Sequence, residues 1–274
     1  MKPAVRRGSA SGFTPGWNAI LREGDGDIMD FDIVVQAPDT PLQWSDAKES
    51  VWVLLDGAAT VQFAGEACTL QRTSLFDAAP STLHLPPHLP LGVQPGGAGA
   101  EWAVLRGATA QAFTPRVFHP AEVATERRGA GLAQDACVRT VRCVFDAATR
   151  PESQFVVGEV VCDAGRWSSY PPHAHPQPEI YHYRFSEPQG YGHAELDDEV
   201  YKVVGRDTLC IPPGKTHAQV AAAGYGMWYL WVVRHLPEAR YGGFSYRPEH
   251  TWLLDPRRQG WQPAGRRRGT EEAR

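Results

Sequence analysis

A chain of 274 residues with 42% hydrophobic and 21% charged residues has the composition of an ordinary globular protein. Its formal net charge of −4 excludes a generally basic nucleic-acid-binding protein, and it has no run of about 18 apolar residues that would predict a transmembrane helix. Residues 1–17 carry positive charges but lack the apolar stretch of a secretory signal, so we expect a cytoplasmic protein that binds neither nucleic acid nor membrane.

Short segments rich in β-branched and aromatic residues recur along the chain, separated by 27 glycines and 23 prolines. They predict strands, in chain order, at 51–55, 60–63, 102–105, 155–161, 179–185, 207–211 and 227–233. Only residues 120–128 suggest a short helix. Many short strands and almost no helix predict an all-β protein, built as a sandwich or barrel.

The strand pattern divides the chain into two halves, because each half has a Pro-Pro turn followed by a late hydrophobic strand. We predict an N-terminal unit over residues 1–113 and a polar linker over 114–134. A C-terminal unit over 135–250 and a tail over 251–274 follow. The exposed strand edges expected of such units favour a homo-oligomer.

The strongest chemical signal is His173-Ala-His175, followed by Glu179. Side chains two apart on a strand share a face, so both imidazoles point the same way. Glu179 points the same way as the two histidines if the Pro-Gln-Pro loop between His175 and Glu179 leads to a neighbouring strand in register. A Pro-Pro-Gly turn brings His217 from another strand. Three histidines and one glutamate are ligands for a divalent transition metal with an open coordination position. We expect zinc, while manganese, iron and nickel also accept these ligands.

These residues resemble the two sequence motifs of the cupin superfamily. A glycine followed by His-x-His and then Glu matches Gly165 to Glu179, and a glycine followed by Pro-x-Gly-x-x-His matches Gly205 to His217. The resemblance implies small antiparallel β-barrels of the jelly-roll type, with the metal inside the wider mouth of one of them.

The N-terminal half lacks such a motif. Its Pro-Pro turn carries His84 and His88, but no His-x-His precedes them. We therefore predict a bicupin of two antiparallel jelly-roll barrels, in which the N-terminal barrel has no metal site and the C-terminal barrel has one.

A longer likeness is to the 5-deoxy-glucuronate isomerase family of myo-inositol catabolism, which comprises uronate isomerases of the bicupin type. Its residues lie in the segments 53–61, 74–77, 128–131, 167–175, 179–185, 188–192 and 221–230. The resemblance implies a metal-dependent aldose–ketose isomerase that converts 5-deoxy-glucuronate to 5-dehydro-2-deoxy-gluconate. Trp231 stands where the family usually has asparagine, so a bulky indole is expected in the substrate pocket.

The resemblance implies that the metal polarises the substrate carbonyl, but several groups could move the hydrogen. Glu179 could leave the metal and act as the base, and Tyr181 or Tyr229 could relay a proton. A metal-assisted hydride shift would need no base. These three possibilities stay open at the level of sequence.

The carboxylate of a uronate needs a cation, and arginine suits it better than lysine. Arg184 is one candidate, although strict alternation from Glu179 turns it away from the pocket. Lys215, in the turn before His217, is the other candidate, and Trp231 is expected to contact the substrate.

Two other classes of function remain open. One is a different metal-dependent cupin enzyme, such as a uronate isomerase with another substrate, an epimerase or a dioxygenase. Turnover that depends on oxygen would distinguish the dioxygenase. The other is a sugar-binding cupin, which would bind a sugar without converting it.

Overall fold

The computed structural model describes residues 4–9, 11–258 and 260–263, and it confirms the predicted all-β fold. In the N-terminal part the strands are β1 (Val5–Arg6), β2 (Gly16–Leu21), β3 (Asp30–Gln36), β4 (Leu42–Trp44), β5 (Glu49–Phe63), β6 (Glu66–Arg72), β7 (Thr82–Leu85), β8 (Leu91–Gly107) and β9 (Arg116–Phe118). In the C-terminal part they are β10 (Ala124–Arg128), β11 (Arg139–Phe145), β12 (Phe155–Cys162), β13 (Trp167–Ala174), β14 (Glu179–Phe185), β15 (Tyr191–Leu196), β16 (Glu199–Val204), β17 (Thr208–Ile211), β18 (His217–Ala221), β19 (Met227–Arg234) and β20 (Ser245–Tyr246). Short 3-10 helices lie at Glu23–Asp25, Pro120–Glu122, Ala133–Asp135 and Pro248–Leu254.

The N-terminal unit is an eight-stranded antiparallel sheet with the order β2-β3-β8-β5-β7-β9, in which β4 also pairs with β8 and β6 with β5. Its two longest strands, β5 and β8, pair along most of their length with register shifts that bend the sheet. Its inner core includes Trp52 and Trp102, whose rings meet edge to face at 6.0 Å between centroids. His84 is fully buried and lies 2.9 Å from a carboxylate oxygen of Glu49.

The C-terminal unit consists of two antiparallel sheets. The seven-stranded sheet has the order β1-β17-β14-β19-β12-β11-β10, and the five-stranded sheet has the order β16-β15-β18-β13-β20. Apolar and tyrosine side chains of both sheets form the core between them. Neither unit closes into a continuously hydrogen-bonded barrel within the described residues, because the outermost strands of each sheet remain unpaired on one side.

The two units pack on each other through a shared apolar core. Alternate residues of β14 and β19 face opposite ways, so Ile180 and Leu230 enter this shared core while Tyr181 and Tyr229 point into the C-terminal unit. The seven-stranded sheet is therefore the middle layer of the molecule, with one face turned to each core.

A buried ion cluster also joins the units. Oε1 of Glu159, on β12, accepts hydrogen bonds at 2.7 Å from Arg72 of the N-terminal unit and from Arg142 on β11. All three side chains are buried, and both arginines also donate to carbonyl oxygens of residues 75–78. Removing Glu159 would leave two buried guanidinium groups without a counter-charge, so the cluster favours a single arrangement of the two units.

Three strand pairings among the described residues cross the boundaries predicted from the sequence. The first strand, Val5–Arg6, pairs with β17 of the C-terminal unit. Within the predicted linker, Arg116–Phe118 pairs with β7 and Ala124–Arg128 forms an edge strand on β11. Of the short helix predicted over 120–128, Pro120–Glu122, with its proline in the first turn, is helical. The division at residues 113 and 134 stays a prediction, and residues 264–274 of the predicted tail lie outside the described residues.

None of the helices in the described part of the chain is long and apolar enough to cross a membrane. None of the five cysteines takes part in a disulfide. Their scattered positions in the sequence, without a Cys-x-x-Cys pair, agree with this finding.

Candidate metal centre

The fold brings together the four residues predicted as metal ligands. His173 on β13 and His217 on β18 are cross-strand partners, and the turn after β13 carries His175. Oε2 of Glu179, the first residue of β14, lies 3.1 Å from Nε2 of His175 and 3.3 Å from Nε2 of His217. The three histidines offer ligand atoms within 4.8 Å of one another, and all four side chains are buried.

Backbone carbonyls orient two of the imidazoles. Nδ1 of His173 donates to the carbonyl oxygen of Ser169 at 3.1 Å, and Nδ1 of His217 donates to that of Lys215 at 3.1 Å. Since a carbonyl can only accept, each Nδ1 carries the proton and each Nε2 keeps a free lone pair. Metal-binding histidines are held in this way in many proteins.

The residues fit a divalent metal. Among the described residues, Nε2 of His217 and Nδ1 of His175 are buried nitrogens without a hydrogen-bond partner, which is unusual in a folded protein. Imidazole nitrogens combined with a carboxylate form a ligand set that suits a divalent transition metal.

The protonation states of His173 and Glu179 also suit metal binding. Burial, helped by the nearby His217, lowers the pKa of His173 to about 3, so its imidazole is neutral near pH 7. Burial alone would raise the pKa of Glu179, but the adjacent imidazoles of His175 and His217 hold it at about 2. A neutral imidazole and an ionised carboxylate are the forms that bind metals.

The two tyrosines predicted to take part in catalysis lie beside this cluster. The hydroxyl of Tyr229 is 2.6 Å from Oγ of Ser168, and that of Tyr181 is 3.3 Å from Oγ of Ser169. Burial raises the pKa of both phenols well above 10, so both stay protonated near neutral pH. They can donate a proton, but they cannot begin as bases.

Trp231 lines the cavity next to the histidines, as its alternation with Tyr229 predicts. Its indole contacts Gly158 on the neighbouring strand.

Arg184 does not reach the cavity, which corrects its prediction as a substrate-binding residue. It lies on the other face of β14, where its Nη2 donates to Glu101 of the N-terminal unit at 2.6 Å and its Nη1 contacts His182. The odd spacing between Glu179 and Arg184 directs their side chains to opposite faces of the strand.

Lys215 also lies away from the cavity, so its prediction as a substrate-binding residue is corrected as well. Its side chain is exposed and its Nζ pairs with Asp197 at 2.5 Å. The residue touches the site only through its carbonyl oxygen, which orients His217.

The cavity has a volume of about 120 Å³. That is room for about four waters at their liquid volume of roughly 30 Å³ each, which suits a small polar molecule and not a polymer. The segment 241–246 covers it, because the ring of Phe244 lies 4.3 Å from that of His173 and the ring of Tyr241 lies 5.1 Å from that of His175. Sequence reasoning missed this cover, although an aromatic residue on each side of Gly242-Gly243 was a visible signal.

Two arginines that sequence reasoning did not assign also line the cavity, Arg128 on β10 and Arg139 on β11. The alternation of Arg139 with Val141, another lining residue, was visible in the sequence. Arg142 follows with the opposite parity and enters the buried ion cluster instead.

Comparison with known proteins adds to this picture. The model of the KduI/IolB family matches residues 17–253. A curated 5-deoxy-glucuronate isomerase of Geobacillus thermodenitrificans is 29% identical over 158 residues, which is 52% of this chain and 55% of that protein. One of Lacticaseibacillus casei is 27% identical over 228 residues, 77% of this chain and 81% of that protein. The chain thus spans about half the length of the first of these relatives and most of the second.

Solved structures agree with the fold. An IolB-like protein of Salmonella typhimurium superposes with a TM-score of 0.79 at 27% identity, over 88% of this chain and 97% of that chain. An oxalate decarboxylase of Lactobacillus farciminis superposes with a TM-score of 0.65 at 12% identity, over 88% and 86% of the two chains. The second likeness shows the fold alone, and it fits the bicupin architecture predicted from the sequence.

Proposed function

Because this chain belongs to the KduI/IolB family, we propose that it is a metal-dependent aldose–ketose isomerase acting on 5-deoxy-glucuronate in myo-inositol catabolism. The observation that carries the proposal is the buried cluster of three histidines and one glutamate beside a small cavity. The product would be 5-dehydro-2-deoxy-gluconate.

The ligands we propose are His173, His175, Glu179 and His217. Zinc is our first choice, and manganese, iron or nickel would accept the same ligands. When bound, the metal would polarise the substrate carbonyl and acidify the neighbouring hydroxyl. The carbonyl contacts of His173 and His217 would keep both imidazoles aimed at the centre without rearrangement.

The reaction moves one hydrogen from the carbinol carbon to the adjacent carbonyl carbon. Glu179 is the ionised carboxylate among the residues that line the cavity, and we propose that it accepts this proton if the transfer is a proton shuttle. Tyr181 and Tyr229 stay protonated and would donate to a substrate oxygen, with Ser168 holding the Tyr229 hydroxyl in place. Phe244 would help to exclude bulk water.

Proton NMR of the metal-loaded protein with 5-deoxy-glucuronate in D2O tests the proposal. Signals of the ketose should appear with wild type and with the control His193→Ala, whose exposed side chain lies on β15, and not with His173→Ala. Deuterium on the product carbon indicates a proton shuttle, whereas a hydride shift would leave that carbon without deuterium. An unchanged wild-type spectrum with metal shown to be bound contradicts the proposed substrate.

The indole of Trp231 favours a second candidate, the isomerisation of a different uronate, because it takes space in the cavity. A panel of uronates in the same NMR assay separates the two candidates. Turnover that requires oxygen would instead indicate a dioxygenase, and saturable binding without conversion would indicate a sugar-binding protein.

We also expect a homo-oligomer. The outer strand β16 of the five-stranded sheet exposes Val200 and Val204, an apolar edge that a second copy could cover. Light scattering after size-exclusion chromatography measures the mass, and a value of 30.1 kDa would contradict the expectation.

A further inference from the structure

We propose that Arg139 and Arg128 together bind the carboxylate of the substrate, an inference that rests on the proposed function and identifies the groups that recognise the charged end of the sugar acid. Both side chains line the cavity that also contains His173 and Glu179. The two arginines are cross-strand partners, since Arg128 on β10 stands opposite Arg139 on β11.

The charge of this pair is not balanced inside the cavity. Like charges directly opposite on neighbouring strands repel. Among the described residues that line the cavity, two guanidinium groups face one carboxylate, that of Glu179. A cavity with this excess of positive charge attracts an anion.

Arg139 is expected to contribute more to carboxylate binding than Arg128. No carboxylate of the described residues lies within 4 Å of its guanidinium, and its hydrogen-bond partner there is the carbonyl oxygen of Cys137, at 2.9 Å from Nη1. Arg128 donates through Nε to Glu126 at 2.6 Å, but both side chains are about half exposed, so the pair is weak. Nη donors of both arginines are therefore available to a ligand.

A carboxylate matches these donors. The planar guanidinium fork binds the two oxygens of a carboxylate through parallel hydrogen bonds. Arg128 and Tyr241 line the same cavity as His175 and Glu179, and the ring of Tyr241 lies 5.1 Å from that of His175. One small molecule can thus contact the histidine cluster and an arginine together.

The other cations considered for this role are already paired. Arg184 binds Glu101 on the opposite face of the sheet, and Lys215 binds Asp197 on the surface. Arg139 differs from both in facing the cavity without a carboxylate partner among the described residues.

Isothermal titration of the metal-loaded protein with D-glucuronate and with its neutral isostere D-glucuronamide tests the proposal. Wild type should bind the carboxylate roughly 10- to 100-fold more tightly than the amide. Arg139→Gln should abolish this preference and leave the affinity for the amide unchanged, and Arg128→Gln should reduce it. The control is Arg127→Gln, on the same strand, whose exposed guanidinium binds Asp163; it should retain the preference.

The same variants separate this proposal from the proposed function. If the protein does not isomerise 5-deoxy-glucuronate but shows a preference for glucuronate that depends on Arg139, the function is wrong and the carboxylate site stands. If it isomerises the substrate and neither arginine variant raises KM or weakens glucuronate binding, the site is wrong. Should Arg139→Gln not fold, Arg139→Lys and Arg128→Gln carry the same comparison, with a partial loss expected for the lysine because it lacks the fork.

Discussion

The indole of Trp231 lies directly against the backbone of Gly158 on the adjacent strand. The two residues are register partners, and a Cβ atom added to Gly158 would sit 2.3 Å from Cζ2 of Trp231 and 2.5 Å from the carbonyl oxygen of Arg142. Only glycine leaves room for the indole at this place. The position of a cavity-lining side chain therefore depends on a residue with no side chain.

Gly158→Ala should lower the free energy of unfolding by about 1–3 kcal/mol, because the new methyl group has no space. Adding Trp231→Ala should recover part of this loss, since one of the two clashes disappears. Urea denaturation measures both variants. Gly205→Ala is the control, because nothing lies within 4 Å of its added Cβ. Equal losses of stability in Gly158→Ala and Gly205→Ala would contradict the prediction.

Arg184→Gln should lower stability and leave substrate affinity alone. The guanidinium joins the two units through Glu101 and also supplies the buried Nε2 of His182 with a donor, so its loss should cost about 1–3 kcal/mol. KM for a uronate should stay within about twofold of wild type. Arg139→Gln should instead raise KM and leave the free energy of unfolding close to that of wild type. A large rise in KM for Arg184→Gln with normal stability would restore Arg184 as a substrate-binding residue.

Glu179→Gln should weaken metal binding by more than about 100-fold, since even residues behind the ligands contribute 10- to 100-fold. Metal content after dialysis, measured by mass spectrometry, and the melting temperature with and without a chelator report the loss. Wild type should melt at a lower temperature after chelation, because a bound metal stabilises the folded state. Melting of the variant should be insensitive to the chelator, and equal metal content in both proteins would contradict the assignment.

His182 should make the protein less stable as the pH falls. Arg184 can only donate to its Nε2, and burial, with Arg184 and Arg206 nearby, holds the pKa of His182 well below 6.5. Below about pH 6.5 the unfolded chain therefore takes up a proton that the folded chain refuses, and stability falls by up to about 1.4 kcal/mol per pH unit. Above that pH the residue has no such effect.

His182→Gln should remove the contribution of one proton from the pH dependence of the unfolding free energy. Glutamine can form hydrogen bonds with both Arg184 and Thr208, and it does not titrate. Unfolding free energies at intervals between pH 5 and 8, with metal and with chelator, provide the measurement. Parallel profiles for wild type and variant would exclude His182 as the source.

The proximity of the three histidines and Glu179 could be predicted from the sequence, because the pattern depends on short spacings along the chain. His173 lies on β13 and His175 follows two residues later in the turn, so the spacing of two still brings both imidazoles to the cluster, and a tight turn presents His217. Alternation also placed Tyr181, Tyr229 and Trp231 on one side of the sheet. These rules need no knowledge of the partner strands.

The cation for the carboxylate could not be predicted in the same way. Arg139 and Arg142 lie on one strand with opposite parity, and the sequence alone does not say which face of that strand borders the cavity. The packing of the two units decides it, because Glu159, which also accepts from Arg72 of the N-terminal unit, binds Arg142 on the shared side. The cover over the cavity was missed for a related reason, since residues 241–246 reach it through a pairing distant in sequence.

The pairing of Val5 with Leu209 has a consequence for biosynthesis. About 200 residues separate the two strands, so this contact contributes to a high contact order, which slows folding. During translation, Val5–Arg6 leaves the ribosome long before β17 and has no partner until β17 has emerged. This segment is thus incorporated much later than it is made, and the seven-stranded sheet stays incomplete until β17 is available to pair with it.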